Sequence, residues 1–311
     1  MLPLLAAITG NLIWGFSYIF TRVALFSAPP DVLLSIRFIA AFIILNGMLL
    51  AGKATFSIKE EKKKKNLKYL LGLGFMECIF FYFESYGILY SNASFASVIL
   101  AVVPVISVGL AAMFLGEKPT VKQVFFCVVP VVGVIIMTIT ETGLGVVTPL
   151  GVILLLCTCF TSGFYKILNR KSSFYFNSFE RTYVVLAMSV VVFTISAFKA
   201  VDWSLKAYLE PLGNPVFVAM VLILAVFCSV VAGLMVNYAA ARISVLMLST
   251  IGTLSTVCTV IAGVVILHEP MNTAIFIGTA MIILGIWQVT KPPKMENNPV
   301  KKEESSVNED Q

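Results

Sequence analysis

Two glutamates, Glu77 and Glu84, stand seven residues apart in the apolar stretch LGLGFMECIFFYFESYGIL of residues 71–89. Seven residues make about two helical turns, so in a helix the two carboxylates share one face with Phe81 between them. An ionised carboxylate turned toward lipid costs about 2.5–3.5 kcal/mol even on the lenient insertion scale, so both side chains should face a bundle interior or water. There they can hold a cationic group or carry a proton. Glu84 lies toward the same end as Arg37, about two turns into the second apolar segment, and a structural ion pair between Arg37 and Glu84 is the plain alternative; Arg22 competes for Glu84 or snorkels to the headgroups. Glu77 lies deeper and has no evident basic partner. Either it stays protonated, or it meets a cationic substrate group or a transported proton.

Other polar positions extend this candidate site. Asn11 and Trp14, three residues apart, share a face of the first segment; the competing role for Asn11 is to join helices through its amide. Asn237 and Tyr238 near the eighth segment's end correspond to Ser85 and Tyr86 by the repeat described below. Tyr165, Ser249, Thr253 and Tyr82 can complete a wall, each with simple packing as its alternative. Glu117 and Glu269 sit where one helix ends and the next begins, as helix caps. His268, the only histidine, reads as an exposed bystander. The six cysteines, Cys78, Cys127, Cys157, Cys159, Cys228 and Cys258, lie within apolar segments without a C-x-x-C pair, which points to no metal. Neither a phosphate loop nor a Ser/His/acid constellation is present, so the sequence calls for no catalytic residue and no cofactor.

The elements that must position these residues are set by composition. Of 311 residues, 59% are hydrophobic and 12% charged, and the mean hydropathy is +0.96, so the lipid bilayer is the main solvent. A membrane helix needs about 20 apolar residues, and segments of that kind fall near 2–22, 31–52, 69–90, 92–115, 122–140, 149–168, 182–200, 215–239, 243–267 and 272–290. The first reads as a helix rather than a cleaved signal, since no basic residue precedes it and its apolar run is long. With a cytoplasmic N-terminus, the inner loops and tail hold 18 of the 22 lysines and arginines, which predicts ten spans with both termini in the cytoplasm of a cell membrane. The net charge of +6 then needs no nucleic-acid partner. The run Glu60 to Lys65 reads as a solvated loop that fixes topology, with anionic headgroups as a secondary partner. Residues 291–311 are polar and charged and are expected to be disordered.

A repeat links the halves. An offset of 152 carries Tyr86 to Tyr238, Leu115 to Leu267, Glu117 to Glu269, Gly133 to Gly285 and Thr138 to Thr290; an offset of 148 carries Gly15, Phe16, Ile19 and Arg22 to Gly163, Phe164, Ile167 and Arg170. Five helices per unit is an odd number, so units at 1–140 and 141–290 would enter the membrane from opposite sides. The expected fold is all-α, with ten transmembrane helices as two inverted five-helix repeats.

The stretch YGILYSNASFASVILAVVPVISVGLAAMFLGEKPTVKQ, Tyr86 to Gln123, resembles the hairpin of helices three and four in EamA-type transporters of the drug/metabolite transporter superfamily. The Asn11-Leu12-Ile13-Trp14-Gly15 opening, Ser35-Ile36-Arg37-Phe38 leading into Ala40 and Ala41, and His268-Glu269-Pro270 match as well, and the resemblance covers nearly residues 2–290. Thr256 stands where the second copy would carry the equivalent of Pro104, and Pro130 falls near the usual glycine, so a different bend is expected in the second half. The resemblance implies a central cavity lined by helices one, three, four, six, eight and nine that moves a small-molecule substrate by alternating access. Arg37 reads as the one basic residue well inside a span, which favours amino acids, amines or hydrophobic cations over phosphorylated compounds. Export as a proton antiporter follows if a glutamate alternates between proton and substrate; uncoupled facilitation is the other option. Small residues, Gly109, Ala111, Ala112 and Gly116, then Ala262 and Gly263, serve folding or a homodimer equally. Two rival classes are a non-transporting scaffold or helper subunit and a membrane-embedded lipid-modifying enzyme, the latter disfavoured by the missing reactive cluster.

Overall fold

Prolines and short polar side chains set where the helices begin. The computed structural model describes residues 1–91, 96, 99–100, 102–116, 119–139, 148–266 and 273–290. In chain order the helices are α1 (Leu2–Ala24), α2 (Pro30–Leu50), a short α3 (Glu61–Lys65), α4 (Leu67–Leu89), α5 (Val103–Leu115), α6 (Val121–Ile139), α7 (Pro149–Ser172), α8 (Ser178–Ala200), a short α9 (Leu205–Leu209), α10 (Pro215–Ala240), α11 (Val245–Gly252), α12 (Leu254–Ile266) and α13 (Thr273–Thr290). Proline occupies the first turn of α1, α2, α5, α7 and α10, where its missing N–H costs nothing. Thr148 caps α7 by accepting from the Gly151 amide at 3.1 Å. Asn177 and Glu180 form a reciprocal capping box on α8. Gly116 ends α5 at φ 67°, a left-handed conformation that glycine adopts without strain.

No strand occurs among the described residues, so the fold is all-helical. Among the described residues five helices, α1, α2, α7, α8 and α10, are long and apolar enough to cross a membrane. Helix α4 has the same 23-residue length as α1 and α8, but its two glutamates and its tyrosines dilute it. Large apolar side chains such as Phe160, Val191, Ile195, Leu222 and Phe227 face outward, as a lipid solvent permits. The chain is a multi-pass membrane protein.

Packing is closest where glycines let backbones meet. A methyl group placed on Gly15 of α1 would lie 2.4 Å from Cys258 Cβ of α12, and one on Gly133 of α6 would lie 2.8 Å from the Gly278 carbonyl oxygen of α13. Phe38 of α2 stacks on Phe193 of α8 with ring centroids 5.5 Å apart. The ninth expected span is not one helix: α11 and α12 are separated at Thr253. Hydroxyls compete with the backbone there. Thr250 donates to the Leu246 carbonyl at 2.9 Å, Thr253 to Thr250 at 2.7 Å and Ser255 to Gly252 at 2.7 Å, and this back-bonding bends a helix without proline. The break falls three residues before Thr256, in a stretch without proline. In α10 the turns widen to a π-helical stretch over Leu224–Val231, the kind of irregularity that recurs at functional sites.

Candidate functional site

Helices α1, α2, α4, α7, α10, α11 and α12 enclose a cavity of about 90 Å³. Its wall carries four ionisable groups of opposite sign: Glu77 and Glu84 from α4, Arg37 from α2 and Lys166 from α7. Trp14 and Tyr18 of α1, Ser162 and Tyr165 of α7, and Ser255 of α12 line it too. A neighbouring cavity of about 20 Å³ shares Trp14, Glu77, Phe81 and Tyr165 with the first and adds Ser229 and Asn237. Glu77 thus stands on the partition between two spaces.

The expected ion pair between Arg37 and Glu84 is not made: among the described residues the ion pairs are Lys63 with Glu60, Lys63 with Glu180, and Lys64 with Glu61. Arg37, buried at 2% exposure, instead donates from Nε to Ser229 Oγ at 2.9 Å. Its guanidinium lies 4.7 Å from the Phe81 ring centroid and 5.4 Å from that of Phe38. Glu84 has the Tyr18 hydroxyl against its carboxyl group. The π-helical stretch of α10 serves this wall directly. The Cys228 carbonyl accepts from Trp14 Nε1 at 2.8 Å, and Ser229 receives Arg37.

Of the residues expected at the site, the structure brings Glu77, Glu84, Trp14, Tyr165 and Asn237 to the cavities. Asn11 stands beside them: a methyl group on Gly252 would lie 3.5 Å from Asn11 Oδ1 and 3.9 Å from Lys166 Nζ. Tyr86 is elsewhere, donating its hydroxyl to the buried Asp31 carboxylate, which also accepts from Ser196. Tyr238 carries the Arg242 guanidinium 3.7 Å from its ring centroid. Ser249 is buried, and Thr253 spends its hydroxyl on the Thr250 carbonyl. None of these last four lines either cavity. Helix α5 contributes no described lining residue, whereas α2 contributes Arg37. Glu117, Glu269, His268 and residues 291–311 lie outside the described residues, so the two caps have no structural account here.

Lys166, Tyr18 and Arg181 were missed by the sequence reading. Lys166 lies two residues before the expected end of its span and reads from sequence as one of the inner-end cations; α7 continues to Ser172, which draws Lys166 inside. Arg37 is therefore not the one basic residue inside a span. Arg181 is fully buried at the start of α8 and donates to carbonyls at the ends of two other helices: Asn169 at 3.2 Å, its side-chain oxygen, and Asn237. Those helix C-termini offset its charge. Asn169 in turn donates to Asn237 Oδ1 at 2.7 Å and Asn237 to Thr182 Oγ1 at 2.8 Å, so the network is closed. Glu180, at 2% exposure, is likewise consumed by its capping box and by Lys63 Nζ at 2.6 Å.

The EamA-like transporter family matches residues 1–139 and again 149–291. The uncharacterised transporter YcxC of Bacillus subtilis is 31% identical over 307 residues, covering 96% of this chain and 97% of that one. An uncharacterised transporter of Archaeoglobus fulgidus is 23% identical over 287 residues, 89% of this chain and 95% of its own. A solved crystal structure with 16% identity superposes with a TM-score of 0.72 over 93% of this chain and 96% of that one, which is a likeness of fold.

Proposed function

Because this chain belongs to the EamA-like transporter family, we propose that it moves a small metabolite, an amino acid or related amine, by alternating access about the cavity between Glu77, Glu84, Arg37 and Lys166. The observation that carries this reading is the charge balance of that wall, which sets two carboxylates and two bases around one cavity. A zwitterion offers one group to each sign. A bare phosphate would meet the two carboxylates, and a bare cation the two bases.

The ten-span inverted repeat, with both termini cytoplasmic and units at 1–140 and 141–290, is part of the same proposal. The two family matches support the division. So do the cavity walls: an offset of 148 carries Trp14, Ser17 and Tyr18 to Ser162, Tyr165 and Lys166, and all six line the larger cavity. An offset of 152 carries Glu77, Phe81 and Glu84 to Ser229, Gly233 and Val236, which line one cavity or the other. Contacts follow the same rule. A methyl on Gly15 would meet Cys258, and one on Gly163 would meet Ile106 at 3.1 Å, the residue 152 positions before Cys258. Rocking of two such halves about a shared midplane site would expose it alternately to either side. Proton coupling and export follow if Glu77 exchanges a proton for the substrate amine, and the stripe of small residues leaves a homodimer open.

Thermal stability of the detergent-purified protein against amino acids, amines, nucleotide sugars and cationic drugs, at two pH values and beside Glu77→Gln, tests the assignment. Stabilisation of the parent by an amino acid or amine, absent in Glu77→Gln, supports it. Stabilisation by phosphorylated compounds alone, or equal stabilisation of both proteins, overturns it.

A further inference from the structure

We propose that the bundle end where α4 begins and α7 ends holds a binding site for an anionic phospholipid headgroup, between Lys68 and Lys171. Lys68 Nζ lies 5.3 Å, and Lys171 Nζ 6.0 Å, from the centroid of the same Tyr69 ring. Lys171 also lies 5.7 Å from the Phe114 ring at the end of α5, so it stands at the junction of three helices. Neither lysine makes an ion pair among the described residues. Two like charges gathered on one ring repel each other, and a phosphate between them reverses that cost.

The surroundings suit a lipid better than a soluble anion. Tyr69 stacks on Tyr175 with centroids 6.4 Å apart and planes 5° from parallel, an aromatic floor of the kind that tyrosines form beside headgroups. Beyond it the wall turns apolar and outward. Phe114, 48% exposed, meets Phe164, 39% exposed, at 6.1 Å, and Phe160 continues the same helix face one turn on. A headgroup held by the lysines would thus lay an acyl chain along the phenylalanines. The site is one-sided. The repeat offsets carry Lys68, Tyr69 and Lys171 to Met220, Val221 and Val23, none of them charged.

Lipid binding to the purified full chain, read by native mass spectrometry and by thermal stability, tests this with phosphatidylglycerol, phosphatidylcholine and glycerol 3-phosphate as probes. The parent should retain phosphatidylglycerol and be stabilised by it over phosphatidylcholine. The variant Lys68→Gln/Lys171→Gln should bind it about tenfold or more weakly, because each lysine near an anionic surface is worth a several-fold change. Lys64→Gln/Lys65→Gln, altering exposed lysines that stay on the short α3, should bind as the parent does. Equal loss in both variants would mean diffuse attraction and overturn the site. Equal binding of phosphatidylcholine would overturn the anionic headgroup, and equal stabilisation by glycerol 3-phosphate would overturn the lipid. Both variants change side chains in aqueous or interfacial positions, so the parent fold is retained.

Discussion

The two halves of the cavity wall occupy matching positions and carry different chemistry. Where α4 presents Glu77 and Glu84, α10 presents Ser229 and Val236 at the offset of 152; where α7 presents Lys166, α1 presents Tyr18 at the offset of 148. Arg37 of α2 has Val185 of α8 as its counterpart. Under the proposed repeat these positions are equivalent, while Arg37 and the acids sit in the first unit and Lys166 in the second. A symmetric scaffold can rock, but a site whose charged groups are not repeated between the halves can orient a zwitterion. Burial alone does not separate the roles: Glu84, at 7% exposure, faces a cavity, whereas Glu180, at 2%, is consumed by a cap and a lysine.

Breaking the asymmetry at its acids should have the largest effect. Glu77→Gln removes one charged contact to a substrate amine and should lower flux in proteoliposomes about 10- to 100-fold, the worth of a charge-assisted hydrogen bond, while thermal stability holds. Arg181→Leu comes next. It copies Leu33, the residue at the matching position, but strands the Asn169 and Asn237 carbonyls and should cost about 2–4 kcal/mol in unfolding experiments in micelles. Lys166→Gln should raise the half-saturating substrate concentration about tenfold, and an ester of the substrate should lose this discrimination. Gly15→Ala and Gly163→Ala sharpen the packing side of the comparison. The first meets Cys258 Cβ and the Ser255 carbonyl and should cost about 2 kcal/mol, whereas the second meets the side-chain ends of Leu110 and Ile106 and should cost less. Smallest of all should be Val236→Ala, opposite Glu84 in the repeat, which leaves flux within about twofold.

Several helix bounds were legible in the sequence because they depend on local pattern. Helix ends at Leu50, Leu89 and Ala240 fall within a few residues of expectation, since apolar length fixes them. Glu77 and Trp14, read from type and spacing, line both cavities. Lys166 was not legible, since its place depends on how far α7 extends beyond its apolar run. The repeat held the missing signal, for the offset that pairs Gly15 with Gly163 also pairs Tyr18 with Lys166. Arg37 was found, but its partner was not. Coulomb attraction suggested Glu84, whereas the π-helical stretch offers Ser229 and the Phe81 face lies closer. Tyr86 and Tyr238 match in the repeat without sharing the cavity, because Asp31 draws one away and Arg242 covers the other.

Uptake of radiolabelled amino acids and amines into proteoliposomes, with the parent and Glu77→Gln reconstituted side by side at equal density, tests the central claim most directly. The account predicts saturable, protein-dependent flux of at least one zwitterionic substrate in the parent and a loss of about tenfold or more in the variant, with both proteins equally folded. Equal flux in the two, or flux confined to phosphorylated or uncharged compounds, would contradict it.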